Sequence, residues 1–190
     1  MNQFVSEKIV NELIENGIII PDDKELYRYG LQQGITIILN ILITILIGLA
    51  FKMVWQSMIF MLAYIPLRSF AGGFHAKTQL RCHILSIALI IMALLGIRII
   101  QWTNLLMLFV VFLASSIIIL LAPMESNNKS LNQKERIVFK KYTRAILCLL
   151  VGIAMIIWFL GYTQFSISII MAIIILSIML LIGKTSYTYT

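Results

Sequence analysis

The chain has 190 residues, of which 61% are hydrophobic and only 12% are charged, and its mean hydropathy is +0.97. A soluble domain has about 25% charged residues, so this composition argues against one and predicts an integral membrane protein folded as a single domain over residues 1–190. The net charge of +7 accompanies no soluble basic face of the kind that binds nucleic acid, and two cysteines are too few for a disulfide framework.

The first predicted element is an amphipathic helix near the N-terminus, ended by Pro21. Phe4, Ile9 and Leu13 fall near helical spacing, with acidic residues between them. Because anionic lipid repels an acidic face, this helix is expected to dock onto protein or a peptide, or to lie solvated at the interface. We assign residues 1–30, whose net charge is −3, to an amphipathic cytoplasmic segment.

Six apolar segments follow, which predicts an all-α, polytopic membrane bundle. The first carries Thr36, Asn40 and Thr44 on one face, which should pack against other helices. The second is short and is expected to stop at Pro66, so it either crosses the membrane or dips into the interface. The predicted spans are 31–51, 53–67, 84–100, 105–122, 145–162 and 165–182.

The cations predict the orientation of these spans. With six crossings, both termini and the stretches 68–83 and 124–144 lie on one side. That side holds thirteen of the fifteen Lys and Arg residues, and the other holds only Lys52 and Arg98. The positive-inside rule therefore places the termini, the segment 68–83 and a basic loop at 124–144 in the cytoplasm. The reducing cytoplasm keeps Cys82 a free thiol.

The polar stretch 68–83 holds both histidines and Cys82. Neighbouring cations lower a thiol's pKa, and a histidine within hydrogen-bond reach can take the thiol proton. On one continuous helix, seven residues would separate His75 from Cys82 by about 10.5 Å along the axis, which is too far for direct transfer. A working pair therefore requires the backbone near His75 to leave the helix, and Gly72-Gly73 supplies the conformational freedom.

Other interpretations of this stretch stay open. His83 is a rival base, although adjacent helical residues point about 100° apart. The two histidines and Cys82 match no common structural zinc pattern, so we predict neither a metal nor a cofactor. The stretch could also be a basic loop whose cysteine is incidental or palmitoylated. Cys148, among leucines, is expected to be a buried packing residue.

The pattern Arg68-x3-Gly72-Gly73-x-His75-x6-Cys82, between the second and third spans, resembles the accessory gene regulator B (AgrB) family of Gram-positive quorum sensing. The likeness extends along the chain to Tyr29-Gly30-Leu31, Pro123 and Asn128-Lys129. The resemblance implies a membrane cysteine endopeptidase in a bacterial cell membrane, surrounded by lipid and assembled as a homodimer. Its substrate would be a small AgrD-like propeptide.

By that resemblance, Cys82 is the nucleophile and His75 the general base. Such enzymes remove the C-terminal part of the precursor through a thioester, and the remainder is cyclised to a thiolactone or lactone. Arg68, Gly72 and Gly73 are candidate supporting or oxyanion residues, and Lys129, Lys134 and Arg136 are candidates for binding an acidic precursor tail. Arg68 could equally anchor the helix end at lipid headgroups. A transporter or peptide exporter is the alternative, although the spans hold almost no ionisable groups near their centres.

Overall fold

A computed structural model describes residues 2–20, 23–72, 79–124 and 132–188, with backbone alone at residues 2–5, 33, 36, 79–83 and 185–188. These residues form seven helices and no strand, which confirms the all-α fold class. The helices are α1 Asn2–Glu15, α2 Lys24–Ala50, α3 Val54–Ala71, α4 Gln79–Ile99, α5 Asn104–Leu121, α6 Gln133–Phe159 and α7 Thr163–Thr188.

The chain divides into two compact units, Met1–Thr44 and Ile45–Thr190. The first unit contains α1 and most of α2. Within it, Thr44 is 1% exposed and its hydroxyl donates to the Asn40 carbonyl oxygen at 2.7 Å. The polar stripe predicted on this helix is therefore buried at Thr44, whereas the side chain of Thr36 lies outside the described residues.

The second unit is built around α7. This helix contacts α3, α4, α5 and α6, and 72% of its apolar stretch is buried. Its buried residues continue through almost every turn from Ser166 to Leu180. Because it packs against four other helices and is buried along most of its length, α7 forms the centre of this unit.

Four helices in the described parts of the chain are long and apolar enough to cross a membrane. They are Lys24–Ala50, Asn104–Leu121, Gln133–Phe159 and Thr163–Lys184, and Ile84–Ile99 is a shorter apolar helix. Large side chains such as Phe112 and Leu120 on α5 are 74% and 81% exposed. Apolar surface of this extent is stable against lipid rather than water, so this is a membrane protein.

The predicted stop at Pro66 is wrong, because α3 continues through Pro66 to Ala71. A proline inside a helix removes one backbone hydrogen bond and costs about 3 kcal/mol. The next turn offsets that cost, since Leu67 and Ala71 are both completely buried. Arg68 and Ser69 therefore belong to the last turn of α3 and not to a loop.

The predicted basic loop at 124–144 is also wrong over much of its length. Asn132 caps α6, whose first three turns, Gln133–Arg144, carry most of the basic residues. The Asn132 side chain accepts from the Gln133 N–H at 2.8 Å, and the Glu135 carboxylate accepts from the Asn132 N–H at 3.0 Å. This capping box fixes where the helix begins. Similarly, residues 24–30 are the start of α2 rather than part of a separate segment.

Cys148 was predicted to be buried but is exposed on α6. The core-facing side of α6 is formed by Thr143, Leu147, Leu150 and Ala154. Cys148 follows Leu147 by one residue, which turns it by about 100° away from that side.

We expect Ser166→Ala to destabilise the bundle by about 0.6–1 kcal/mol, because it removes a hydrogen bond between helices. The Ser166 hydroxyl donates to the Ala154 carbonyl oxygen of α6 at 2.7 Å. Ser168 is the matched control: it is equally buried, but its hydroxyl donates to Gln164 at 2.8 Å within its own helix. Thermal unfolding in detergent should separate the two variants, and an equal loss in both would contradict this role.

Candidate active site

Two chain segments far apart in sequence meet where α3 ends. The Met124 N–H donates to the Ala71 carbonyl oxygen at 2.9 Å, and Gly72 and Met124 form an isolated parallel β-bridge. Met124 lies just after α5, at the start of the second polar stretch. The two polar stretches predicted from the sequence are therefore joined at one end of the bundle.

Gly72 is required at this junction for two reasons. Its φ of +74° and ψ of −145° lie in a region that only glycine adopts readily. A Cβ atom added to Gly72 would also overlap the carbonyl oxygen of Met124. The sequence predicts that Gly72 supplies backbone conformational freedom. In the structure Gly72 instead adopts one defined conformation, because no side chain fits beside Met124.

Arg68 is held by an aromatic residue one turn earlier. Its Nη1 donates to the Tyr64 hydroxyl at 2.8 Å, and its guanidinium carbon lies 5.6 Å from the centre of the Tyr64 ring. Tyr64 is 9% exposed and stacks on Phe60 at 5.4 Å. A cation held over a ring in this way is attracted by the ring's negative face. This arrangement fixes Arg68 three residues from the end of α3.

An aromatic cluster fastens the end of α3 to the start of α6. Phe70 lies 5.1 Å from the ring of Tyr142 and 5.7 Å from the ring of Phe139. Stacked and tilted ring pairs at these distances are favourable beyond the area that they bury. The cluster of Phe70, Phe139 and Tyr142 therefore places the basic turns of α6 beside the helix that carries Arg68.

The exposed cations of α6 divide between two faces. Arg136 and Lys140 precede the buried Thr143 and Leu147 by seven residues each, so they continue the core-facing side of the helix. Lys134 lies about 180° around the helix from Thr143. Lys141 lies seven residues after Lys134 and shares that outer face.

The structure locates some of the predicted site residues and leaves others untested. Gly73, His75 and Lys129 lie outside the described residues. Cys82 is the fourth residue of α4, described by its backbone alone. The approach of the His75 imidazole to the Cys82 thiol therefore stays a prediction. Among the described residues no three His, Cys, Asp or Glu side chains could hold a metal ion, and neither histidine side chain was among them.

Sequence reasoning missed five residues of this end of the bundle: Tyr64, Phe70, Met124, Phe139 and Tyr142. For Tyr64 a signal existed, because a tyrosine four residues before an arginine on one helix lies next to it. The contacts of Phe70 and Met124 join segments more than fifty residues apart, and local spacing carries no information about them.

Comparisons with known proteins agree on one family. The model of the family described as Accessory gene regulator B matches residues 6–180. The chain is 34% identical over 96 residues to the accessory gene regulator protein B of Staphylococcus lugdunensis, covering 50% of this chain and 51% of that protein. It is 29% identical over 87 residues to an AgrB-like protein of Clostridium perfringens (strain SM101 / Type A), covering 46% and 39%.

The matched region is thus about half, or less, of the length of these relatives. No solved structure matches the chain.

We expect Gly72→Ala to be much more destabilising than Gly161→Ala. Gly161 has a φ of +87° but nothing within 4 Å of its added Cβ, so alanine there costs only the backbone strain, about 1 kcal/mol. Gly72→Ala adds the overlap with Met124, which we estimate at about 1–3 kcal/mol more. The apparent Tm of both variants in detergent measures the difference. Equal losses would show that the junction yields easily.

Proposed function

This chain belongs to the accessory gene regulator B family, and we propose that it is a membrane cysteine endopeptidase that processes a small, AgrD-like quorum-sensing propeptide. The observation that supports this most is the family match over residues 6–180, which includes the whole pattern from Arg68 to Cys82. In this proposal Cys82 is the nucleophile and His75 is the general base and acid.

The reaction proceeds in two acyl transfers. His75 takes the Cys82 proton, and the thiolate attacks the scissile carbonyl to give a tetrahedral oxyanion. The intermediate collapses to a thioester on Cys82, and the C-terminal tail leaves as an amine that receives the proton from His75. A cysteine or serine of the precursor then attacks the thioester and closes the ring, which frees Cys82. A thioester exchanged for a thiolactone keeps the same bond type, so that step needs no ATP.

Further support for this proposal comes from the two helices that flank the motif. The helix α3 ends at Ala71, four residues before His75, and the described part of α4 begins at Gln79, three residues before Cys82. α3 and α4 pack against each other, and only seven residues, 72–78, connect the end of α3 with the described start of α4.

We further propose that this end faces the cytoplasm in a multi-pass topology. Thirteen of the fifteen Lys and Arg residues would then lie on the cytoplasmic side, as the positive-inside rule requires. A homodimer stays a prediction of the family resemblance.

We expect Cys82→Ala and His75→Ala to abolish cleavage of the precursor when enzyme and precursor are made together. Cys148→Ala is the matched control, because Cys148 is exposed on the outer surface of α6. Mass spectrometry of the wild-type protein with precursor should find the acyl adduct on the peptide containing Cys82. Normal cleavage of the precursor by the Cys82→Ala variant would contradict the proposal that Cys82 is the nucleophile.

We propose that the basic start of α6 binds an acidic precursor tail through its core-facing pair, Arg136 and Lys140. These residues continue the core-facing side of α6, and the aromatic cluster ties this stretch of the helix to α3, which leads to the motif. Lys134, which the sequence also suggested, lies on the outer face. Lys129 stays a candidate from the resemblance alone.

We expect the double variant Arg136→Gln/Lys140→Gln to raise KM for the precursor by about three- to ten-fold, with kcat little changed, because exposed ion pairs contribute up to about 1 kcal/mol each. The effect should shrink with added salt. Lys134→Gln/Lys141→Gln removes the same charge from the outer face and should leave KM near wild type. Equal effects of both pairs would mean that net charge, rather than the core-facing side, attracts the tail.

A further inference from the structure

An open groove of about 600 Å³ lies at the end of the bundle opposite the motif. It is formed by the turn between α2 and α3 and by the turn between α6 and α7, and its lining includes Lys52, Trp55 and Tyr162. The α3 helix begins at this groove and ends at Ala71, just before Gly72, so its 18 residues separate the two ends by about 27 Å. This groove has no part in the proposed peptidase chemistry.

Lys52 stands at a backbone position where glycine is expected. Three of the described helices end in the same Schellman motif, in which one N–H donates to the carbonyl oxygen three residues back and the next N–H donates to the one five residues back. At the end of α1, the N–H groups of Gly17 and Ile18 donate to the carbonyl oxygens of Ile14 and Leu13. At the end of α6, those of Gly161 and Tyr162 donate to Trp158 and Ile157. At the end of α2, those of Lys52 and Met53 donate to Leu49 and Gly48.

The residue with positive φ is glycine at the ends of α1 and α6 but lysine at the end of α2. Lys52 has a φ of 56°, which is unfavourable for any residue with a Cβ. A side chain at such a position opposes the fold, and strained residues of this kind cluster at functional sites. Gly161 and Lys52 both line the groove. The positive-φ position of the motif therefore occurs there twice, once as glycine and once with a lysine side chain.

The chemistry of the groove fits an anion. Lys52 is exposed, the described residues contain no ion pair to it, and the residues lining the groove include no Asp or Glu. The α3 helix begins here, and its N-cap residue Met53 makes no side-chain capping hydrogen bond. The unpaired N–H groups of that first turn add partial positive charge to that of Lys52.

The surroundings of Lys52 fit a lipid. Trp55 and Tyr162 are 69% and 61% exposed, and Leu49, one turn before Lys52, is 58% exposed. Tryptophan and tyrosine rings are enriched at the boundary between the hydrocarbon core and the lipid headgroups. Of the helices long enough to cross a membrane, α2 and α6 finish beside this groove and α7 begins there. The hydrogen bond between the Gln56 and Gln164 side chains, at 2.6 Å, holds the two walls of the groove together.

We propose that this groove binds the headgroup of an anionic phospholipid, with the Lys52 ammonium group on its phosphate and the acyl chains along the apolar surface below Trp55. The inference does not depend on the peptidase assignment, since it uses neither the motif nor the basic turns of α6.

The test is native mass spectrometry of the full chain released from nanodiscs that contain equal amounts of phosphatidylglycerol and phosphatidylcholine. We expect wild type to retain phosphatidylglycerol preferentially and Lys52→Gly to lose about five-fold of that preference, the contribution of one cation near an anionic surface. Lys52→Gly installs the residue that the other two motifs use, so its apparent Tm in phosphatidylcholine should equal or exceed that of wild type. Lys52→Gln removes the charge with the side-chain length kept, and Lys52→Arg should retain the preference.

Arg98 is the matched control. It is an exposed cation in the last turn of α4, outside the groove, and the bond from Trp158 to Asn104 at 3.1 Å places the α4–α5 connection at this same end. Arg98→Gln should keep the lipid preference. Unchanged preference in both Lys52→Gly and Lys52→Gln, or an equal loss in Arg98→Gln, would overturn the proposal.

Discussion

The close approach of two backbones at Gly72 is the constraint on which the motif end of the protein depends. The Met124 carbonyl oxygen lies where any other residue at position 72 would place its Cβ atom, so a side chain there would force the end of α3 and the end of α5 apart. Arg68, Phe70 and, through the aromatic cluster, the start of α6 are positioned relative to that junction. A small number of contacts thus positions the end of α3, the helix that precedes the segment with His75 and Cys82.

The two ends of α3 have different properties. At its C-terminal end are a tyrosine-held arginine and, beside it, the basic turns of α6. At its N-terminal end are one lysine, a polar bond between two glutamines and exposed aromatic rings. Between them, Phe60, Ala63 and Leu67 are buried in the second unit, whose centre is α7. Packing keeps the ends at a fixed separation, so the proposed peptidase site at one end and the proposed lipid site at the other belong to the same rigid element.

The sequence predicted the helical class and the break at Gly72, because apolar length and glycine act locally. Four of its six predicted spans coincide with described helices that are long and apolar enough to cross a membrane. It failed at Pro66, where the local penalty is outweighed by the burial of Leu67 and Ala71 in tertiary packing. It failed again at 133–144, because a run of cations was interpreted as a loop, although Asn132 and Glu135 carried the capping signal. The contact of Ala71 with Met124 was beyond prediction, since nothing in local spacing indicates a partner fifty residues away.

The continuity of α6 has a consequence for how such a chain tolerates changes in length. Its 27 residues extend about 40 Å, so a helix that begins at Asn132 and enters the core at Thr143 carries its cations at a fixed angle. One residue inserted or deleted between them would rotate Arg136 by about 100° relative to Leu147 and turn it away from the core-facing side. A change of the same size between Met124 and Asn132 leaves the helical phase unaltered. Insertions and deletions should therefore be accommodated before the cap and not after it.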